Sequence, residues 1–119
     1  SPEEEEVEQE FQEKLSEELV DRMNELTGKD IRDLVNRGAC INFKNSRGLT
    51  ALTSAVFFGR RDCVECLLRL PEVMPLTRVR LNVDARNASG RTALHIAAQK
   101  GKADLIPLLI GGRASVNAR

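Results

Sequence analysis

The sequence predicts an all-α fold in which short helices stack as neighbouring pairs in a solenoid. Residues 45–68 align without a gap to residues 87–110 at an offset of 42 residues, and both copies carry apolar residues at helical spacing. Four glycines recur in register and separate helical stretches too short to be stable alone: Gly48, Gly59, Gly90 and Gly101. Because such helices bury their apolar faces only against neighbours, the pattern indicates a stacked array.

The first element predicted is an acidic amphipathic helix. Ser1 is expected as its N-cap, Pro2 as its first helical residue, and Glu4 as the partner in a capping box. The apolar stripe repeats every four residues, at Val7, Phe11, Leu15, Leu19 and Met23, between mostly charged positions. We expect an interruption of this helix near Ser16.

A shorter second helix is predicted after Thr27-Gly28-Lys29-Asp30. Its apolar face is Ile31, Leu34 and Val35, and Gly38 is expected just beyond its end in a left-handed conformation. These three apolar residues precede Val64, Leu67 and Leu68 by 33 residues, which makes this hairpin an earlier and looser copy of the repeat.

The basic repeat is 33 residues long, and the longer offset of 42 implies an insertion of nine. Val83-Asp84-Ala85-Arg86 precedes Val116-Asn117-Ala118-Arg119 by 33 residues. The insertion is assigned near residues 70–81 and is rich in apolar residues for a free loop: Pro71, Val73, Met74, Pro75, Leu76 and Val79. We expect it to fold back on the stack, with contact to a partner as the alternative.

Composition and charge limit the function classes. Apolar residues make up 41% of the chain, but Trp and Tyr are absent and only four Phe are present, so the core must be aliphatic. The first 36 residues carry a net charge of −9 and the remainder +9. Such asymmetry indicates either an internal pairing or an acidic segment and a basic surface that await a partner.

The motif Thr-Ala-Leu-His-Ile-Ala-Ala at residues 92–98, together with the 33-residue period, resembles the ankyrin repeat, which is a turn followed by two antiparallel helices. The resemblance implies an ankyrin-repeat solenoid of about two full repeats with an N-terminal capping helix pair. Thr50 and Thr92 are expected to cap helices, and Ala97 and Ala98 to let helices approach closely. His95 is expected to bond an adjacent loop, whereas its counterpart Thr53 departs from the family pattern.

The predicted organisation has an acidic helical extension followed by repeats. The extension covers residues 1–18 and the repeats 19–119, divided into a cap at 19–44, a repeat at 45–86 with the insertion, and a repeat at 87–119. Because the chain ends at Arg119 without a polar closing cap, we expect a longer parent protein or a trimmed chain. The pair Gly111-Gly112 displaces the glycine that the family places after the second helix.

The resemblance also points to a partner-binding surface in the concave groove. Phe57 and Phe58 follow Ala55-Val56, the counterpart of Ala97-Ala98, at positions that the family usually makes polar, and Phe58 is expected to be the more exposed. Other predicted partner-binding residues are Arg47, Leu49, Arg91, Gln99 and Lys100, with Ser46, Ala88 and Ser89 as further turn-tip candidates. The basic residues favour an acidic protein or peptide as the partner. As the alternative, the cap or the insertion covers both rings.

The acidic helix supplies a second candidate surface. Its stripe of Val7, Phe11 and Leu15 extends beyond what a capping hairpin needs. One hypothesis is that this stripe packs along its own repeats. The other is that it reaches a second chain and forms a homodimer or a heterodimer.

No catalytic residue, metal site or cofactor is predicted. The chain has one His, no recognisable nucleophile motif and no glycine-rich phosphate loop. Cys63 and Cys66 have the spacing of half a zinc site, but they align with Leu105 and Leu108, which favours core residues. Nucleic acid is not an expected ligand, because the basic residues are not interleaved with stacking aromatics.

The odd number of cysteines, Cys40, Cys63 and Cys66, favours a reducing intracellular compartment: cytoplasm, nucleus, or an organelle after removal of a targeting peptide. No apolar run approaches the length of a membrane span, so direct membrane insertion is not expected. The leading functional hypothesis is a non-enzymatic adaptor or scaffold that binds a protein partner. The alternatives are an accessory domain of a larger enzyme, channel or transport factor, and a self-associating assembly protein.

Overall fold

A computed structural model describes residues 2–73 and 81–111, except the side chains of residues 71–73. Within these residues the regular elements are six helices: α1 (Pro2–Asp21), α2 (Gly28–Asn36), α3 (Ala51–Phe57), α4 (Arg61–Val73), α5 (Ala93–Gln99) and α6 (Leu105–Gly111). The predicted all-α fold is confirmed. Ser1, the expected N-cap of α1, and the predicted final motif at residues 116–119 lie outside the described residues.

The helices form two adjoining rows. One row contains α1, α3 and α5, the other contains α2, α4 and α6, and each helix of the first row packs on its pair partner in the second. The core between the rows is aliphatic, as the composition predicts. Its largest fully buried side chains include Leu19, Met23, Ile31, Leu52, Leu67, Leu70, Leu105 and Leu109. Each pair therefore covers apolar surface of the next, which is how a repeat array is stabilised.

Capping boxes fix the starts of three helices. Thr27 caps α2 with Asp30 as its partner, and Thr50 caps α3 with Thr53. Thr92 caps α5, where the His95 Nδ1 lies 3.1 Å from the Thr92 backbone nitrogen. Each box satisfies two backbone N–H groups that the first helical turn leaves unpaired. The predicted caps at Thr50 and Thr92 are thus confirmed, and the described partner of His95 lies in its own repeat.

The predicted interruption of α1 near Ser16 is wrong. The Ser16 hydroxyl donates to the Gln12 carbonyl at 2.8 Å and accepts the backbone N–H of Cys40 at 2.8 Å. A serine inside a helix is tolerated when its hydroxyl bonds the carbonyl four residues earlier. α1 is therefore continuous at Ser16, and the Ser16 hydroxyl ties the helix to the loop after α2.

Arg60 joins the first helix pair to the second. Its guanidinium donates to the carbonyl oxygens of Asn24 at 2.7 Å and Leu26 at 2.8 Å, in the turn that follows α1. It also pairs with Asp62 at 3.1 Å, and this bond lowers the pKa of the Asp62 carboxyl. The turn after α1 and the turn after α3 therefore lie side by side.

Two packing expectations need correction or restriction. Ala97 is fully buried as predicted, but Ala98 is exposed, so one small residue rather than two mediates the close helix approach. Residues 74–80 of the insertion lie outside the described residues. On its two sides, Leu70 is fully buried and Leu81 packs partly buried against the core.

Candidate functional site

Two copies of one asparagine-centred turn form the tips of the repeats beside the candidate site. The Asn45 side-chain oxygen accepts the backbone N–H of Arg47 at 3.0 Å and of Leu49 at 2.9 Å. The Asn87 side chain accepts the N–H of Ser89 at 2.9 Å and of Arg91 at 3.0 Å. Asparagine suits these positions because its side chain bonds the backbone a few residues ahead. The two turns therefore share one conformation.

The turns also lie close enough to require glycine at one of them. Gly48 has φ of +78°, and a Cβ at this residue would lie 2.7 Å from the backbone nitrogen of Ala88. Gly90 has nearly the same φ, +77°, but nothing lies within 4 Å of its Cβ position. Gly48 therefore serves both the turn conformation and the close stacking of adjacent turns.

A cleft of about 640 Å³ lies between these turns and the ends of α3 and α5. Two of its described lining residues are cationic and none is acidic: Leu49, Phe57, Asn87, Ser89, Arg91, Ile96, Gln99 and Lys100. Ile96 is 5% exposed, whereas Phe57 is 48% exposed. The cleft thus combines exposed apolar surface with positive charge.

Two contacts orient the Phe57 ring in this cleft. The Lys100 ammonium lies 4.4 Å from the centre of the Phe57 ring, within the range of a cation–π interaction. The Phe58 ring meets the Phe57 ring edge-on, with centroids 5.4 Å apart. Phe57 is therefore oriented from both sides while half of it remains exposed to solvent.

Five of the seven predicted partner-binding residues line this one cleft: Leu49, Phe57, Arg91, Gln99 and Lys100. The Arg91 guanidinium donates to the side-chain oxygen of Gln99. Phe58 and Arg47 are not among its lining residues. The expectation that Phe58 would be the more exposed ring is not confirmed, because the two rings are about equally exposed, Phe58 at 46% and Phe57 at 48%.

Arg47 extends from the first turn tip toward α1. Its guanidinium lies 4.0 Å from the Asp21 carboxylate, and its side chain remains 71% exposed. Sequence reasoning missed Asn87 and Ile96 as lining residues. The recurrence of asparagine at positions 45 and 87 was the available signal for the first, whereas Ile96 had none, because its counterpart is Ser54.

The second predicted surface is smaller than the sequence indicated. Val7 is 65% exposed and Phe11 is 52% exposed, but Leu15 is 4% exposed and packs in the core of its own chain. Leu15 is therefore corrected from an association residue to a core residue. Val7 and Phe11 remain as the apolar part of this surface, beside Glu3, Glu4 and Glu8.

Cys63 and Cys66 occupy structural positions, whereas Cys40 is exposed. Cys63 is fully buried, and its thiol lies 3.3 Å from the carbonyl oxygen of Leu26, to which it donates. Burial raises the pKa of the Cys63 thiol to about 11 and also raises that of Cys66, so both are neutral at pH 7. No group of three metal-ligating side chains occurs among the described residues.

Residues 23–119 match the family model of ankyrin repeats, in three copies. Human ankyrin repeat domain-containing protein 63 is 29% identical over 123 aligned residues, which cover 78% of this chain and 32% of that protein. The mouse protein of the same name is 30% identical over 71% of this chain and 30% of its own length. The human transient receptor potential cation channel subfamily A member 1 is 29% identical over 71% of this chain and 7% of the channel.

The chain thus spans a third or less of the length of each of these relatives. Within the part of the chain that the structure describes, no helix combines the length and the apolar character that crossing a membrane requires.

Proposed function

The chain belongs to the ankyrin-repeat family, whose repeats are protein-interaction modules, and on that premise we propose that it is a non-enzymatic adaptor. Its proposed binding site is the cleft around Phe57 and Lys100, and its proposed ligand is an acidic segment of a protein that carries an apolar side chain. The observation that carries this proposal is the half-exposed Phe57 ring in a cleft whose lining is cationic.

The exposure of Phe57 supports a binding role for energetic reasons. An aromatic ring that is half exposed in the free protein can still bury apolar area when a ligand covers it, at roughly 25 cal/mol per Å². Aromatic side chains in the centre of an interface often dominate its energetics. Phe57 is also held by its two neighbours, so little side-chain entropy remains to be lost on binding.

The charge of the cleft supports an acidic ligand. Arg91 and Lys100 line it, and Arg47 lies on the adjacent turn tip. A carboxylate beside these cations gains a favourable interaction that salt weakens, because exposed charges are screened by ions. An acidic ligand is therefore expected to bind more tightly at low ionic strength.

Fluorescence anisotropy tests the proposal. The probe is a labelled peptide of glutamates around one phenylalanine, and the matched probe has glutamines instead. Removing a central aromatic contact typically costs about 2 kcal/mol, so Phe57→Ala is expected to raise the Kd of the acidic peptide roughly thirtyfold.

The control variant is Ile110→Ala, because Ile110 on α6 is 47% exposed but lies outside the cleft. We expect this variant to bind the acidic peptide as the unmodified chain does. Equal affinity for the two probes, or an unchanged Kd in Phe57→Ala, would remove the cleft as the proposed site.

We propose as a second candidate that the chain is an accessory domain of a larger protein. The similarity to a short part of a cation channel, 7% of its length, supports this alternative. The sequence of the complete reading frame tests it: a catalytic or membrane-spanning segment in the same frame would support an accessory role, and its absence would contradict it.

A further inference from the structure

The first two thirds of α1 have no apolar cover among the described residues of their own chain. Every residue from Pro2 to Lys14 is exposed, and burial begins at Leu15. A helical segment of about 13 residues is marginal in water by itself. It nevertheless carries Val7 and Phe11 one helical turn apart, with more than half of each side chain in contact with solvent. Within the part of the chain that the structure describes, the stripe therefore lacks the packing partner that normally stabilises an amphipathic helix.

This stripe lies outside the cleft of its own chain, because none of the described residues that line the cleft belongs to α1. Arg60 places the turn after α1 beside the turn after α3, so the end of α1 lies level with the end of α3, where Phe57 is located. Phe11 precedes Asp21 by ten residues, which corresponds to about 15 Å of helix, and Val7 lies about 6 Å farther away.

The path of α1 also points away from Phe57. A Cβ at Gly38, in the loop beyond the far end of α2, would lie 3.5 Å from the Gln12 side chain. Ser16 bonds the backbone of Cys40 in the same loop. The exposed stripe thus projects past the opposite end of the slab from Arg60. While α1 remains one helix, its exposed stripe does not reach Phe57 of the chain to which it belongs.

The stripe and the cleft match in chemistry. Residues 2–14 contain seven glutamates and one lysine, around Val7 and Phe11. The cleft presents Phe57 with two cations and no carboxylate among its described lining residues. An acidic helix with an aromatic side chain is the ligand that such a cleft fits, both in charge and in apolar surface.

We infer that the exposed part of α1 docks into the Phe57 cleft of a second copy of this chain, an inference that rests on the proposed function of that cleft. Each copy has one acidic stripe and one basic cleft. Reciprocal docking therefore satisfies both in a closed pair, in which the contact of one copy is repeated by the other.

Sedimentation of the full chain tests this inference. We expect association whose Kd rises at least about tenfold between ~0.05 M and ~0.5 M salt, because the docking charges are exposed and screened. Substitution of Val7 and Phe11 by serine is expected to yield a monomer with unchanged stability, since neither side chain packs in the core.

Two variants with reversed charge, one in the cleft and one on α1, test which surfaces dock. One variant carries Arg91→Glu with Lys100→Glu in the cleft, and the other carries Glu3→Lys, Glu4→Lys, Glu8→Lys and Glu10→Lys on α1, which changes the net charge of residues 2–14 from −6 to +2. Each is expected to be monomeric alone, and an equimolar mixture is expected to associate, because each helix then meets a cleft of opposite charge.

A matched control changes charge elsewhere. Lys29→Glu with Arg69→Glu has the same net change as the cleft variant but lies on the exposed surface of α2 and α4, so it is expected to associate normally. A monomer at every salt concentration, or association that survives the cleft and α1 variants, would overturn the inference. If the acidic peptide still binds at Phe57 in that case, only self-docking is refuted; if it does not bind, the proposed function fails too.

Discussion

Gly48 and Gly90 occupy the same position in two turns, yet only Gly48 has a close neighbour. Both have positive φ, +78° and +77°, which residues with a side chain adopt only at a cost. Only Gly48 faces a neighbouring turn closely enough for a Cβ to clash with Ala88. The sequence predicts the turn glycines, but it does not predict which of them a neighbour crowds.

This difference gives a prediction for two matched substitutions. Gly90→Ala is expected to lower the free energy of unfolding by about 1–2 kcal/mol, the cost of the left-handed conformation. Gly48→Ala is expected to cost more, because the new methyl group also displaces the Ala88 backbone. Chemical denaturation of both variants measures the difference, and equal costs would refute the close stacking of the turns.

Repeat alignment predicts the positions of Phe57 and Lys100 but not the contact between their side chains. Alignment predicts that both lie on the concave surface, because each occupies one of the two positions that follow the aligned pairs Ala55-Val56 and Ala97-Ala98. The contact between the Lys100 ammonium and the Phe57 ring is not visible in the alignment, since it joins side chains 43 positions apart. Such contacts depend on how adjacent repeats stack and which rotamers they select.

At the scale of the elements, the predicted helix starts hold because local chemistry sets them. Thr50 and Thr92 bond the first turns of their own helices, so the signal is contained in a few consecutive residues. The continuity of α1 was not predictable in this way. Ser16 is accommodated by a bond to Cys40, which is 24 residues away in sequence.

Arg60 is the element-scale contact with the clearest stability consequence. Its side chain is only 26% exposed, and its guanidinium bonds several carbonyl groups in the turn after α1, including those of Asn24 and Leu26. Losing a hydrogen bond from a charged donor costs about 1.5–3 kcal/mol of stability. Arg60→Ala is therefore expected to lower the free energy of unfolding by about 2 kcal/mol or more.

The neighbouring Arg61 is the control for this experiment. It pairs with Glu65 and Asp104, but its side chain is 52% exposed. Exposed ion pairs contribute about 0–1 kcal/mol, so Arg61→Ala is expected to change stability little. Thermal unfolding of both variants compares them, and a similar small effect for Arg60→Ala would show that the two turns are not held by its guanidinium.

At the scale of the whole molecule, the sequence predicts a slab of three helix pairs, and the two rows of helices confirm it. The apolar period carries this information, because each pair can bury its face only by stacking. The division of charge is also readable from the sequence, with −9 in the first 36 residues and +9 in the rest. The sequence does not show how much of the acidic helix is exposed. That depends on where α1 begins to pack in the core, which is at Leu15.

The central proposal is that an acidic ligand binds in the cleft around Phe57. Nuclear magnetic resonance of the isotope-labelled chain, titrated with the glutamate and phenylalanine peptide, tests this most directly because it locates the contact residue by residue. We predict that the largest amide shifts occur at Phe57, Arg91, Gln99 and Lys100, and that the glutamine peptide produces much smaller ones. Shifts confined to the row of α2, α4 and α6 would contradict the binding of an acidic ligand in this cleft.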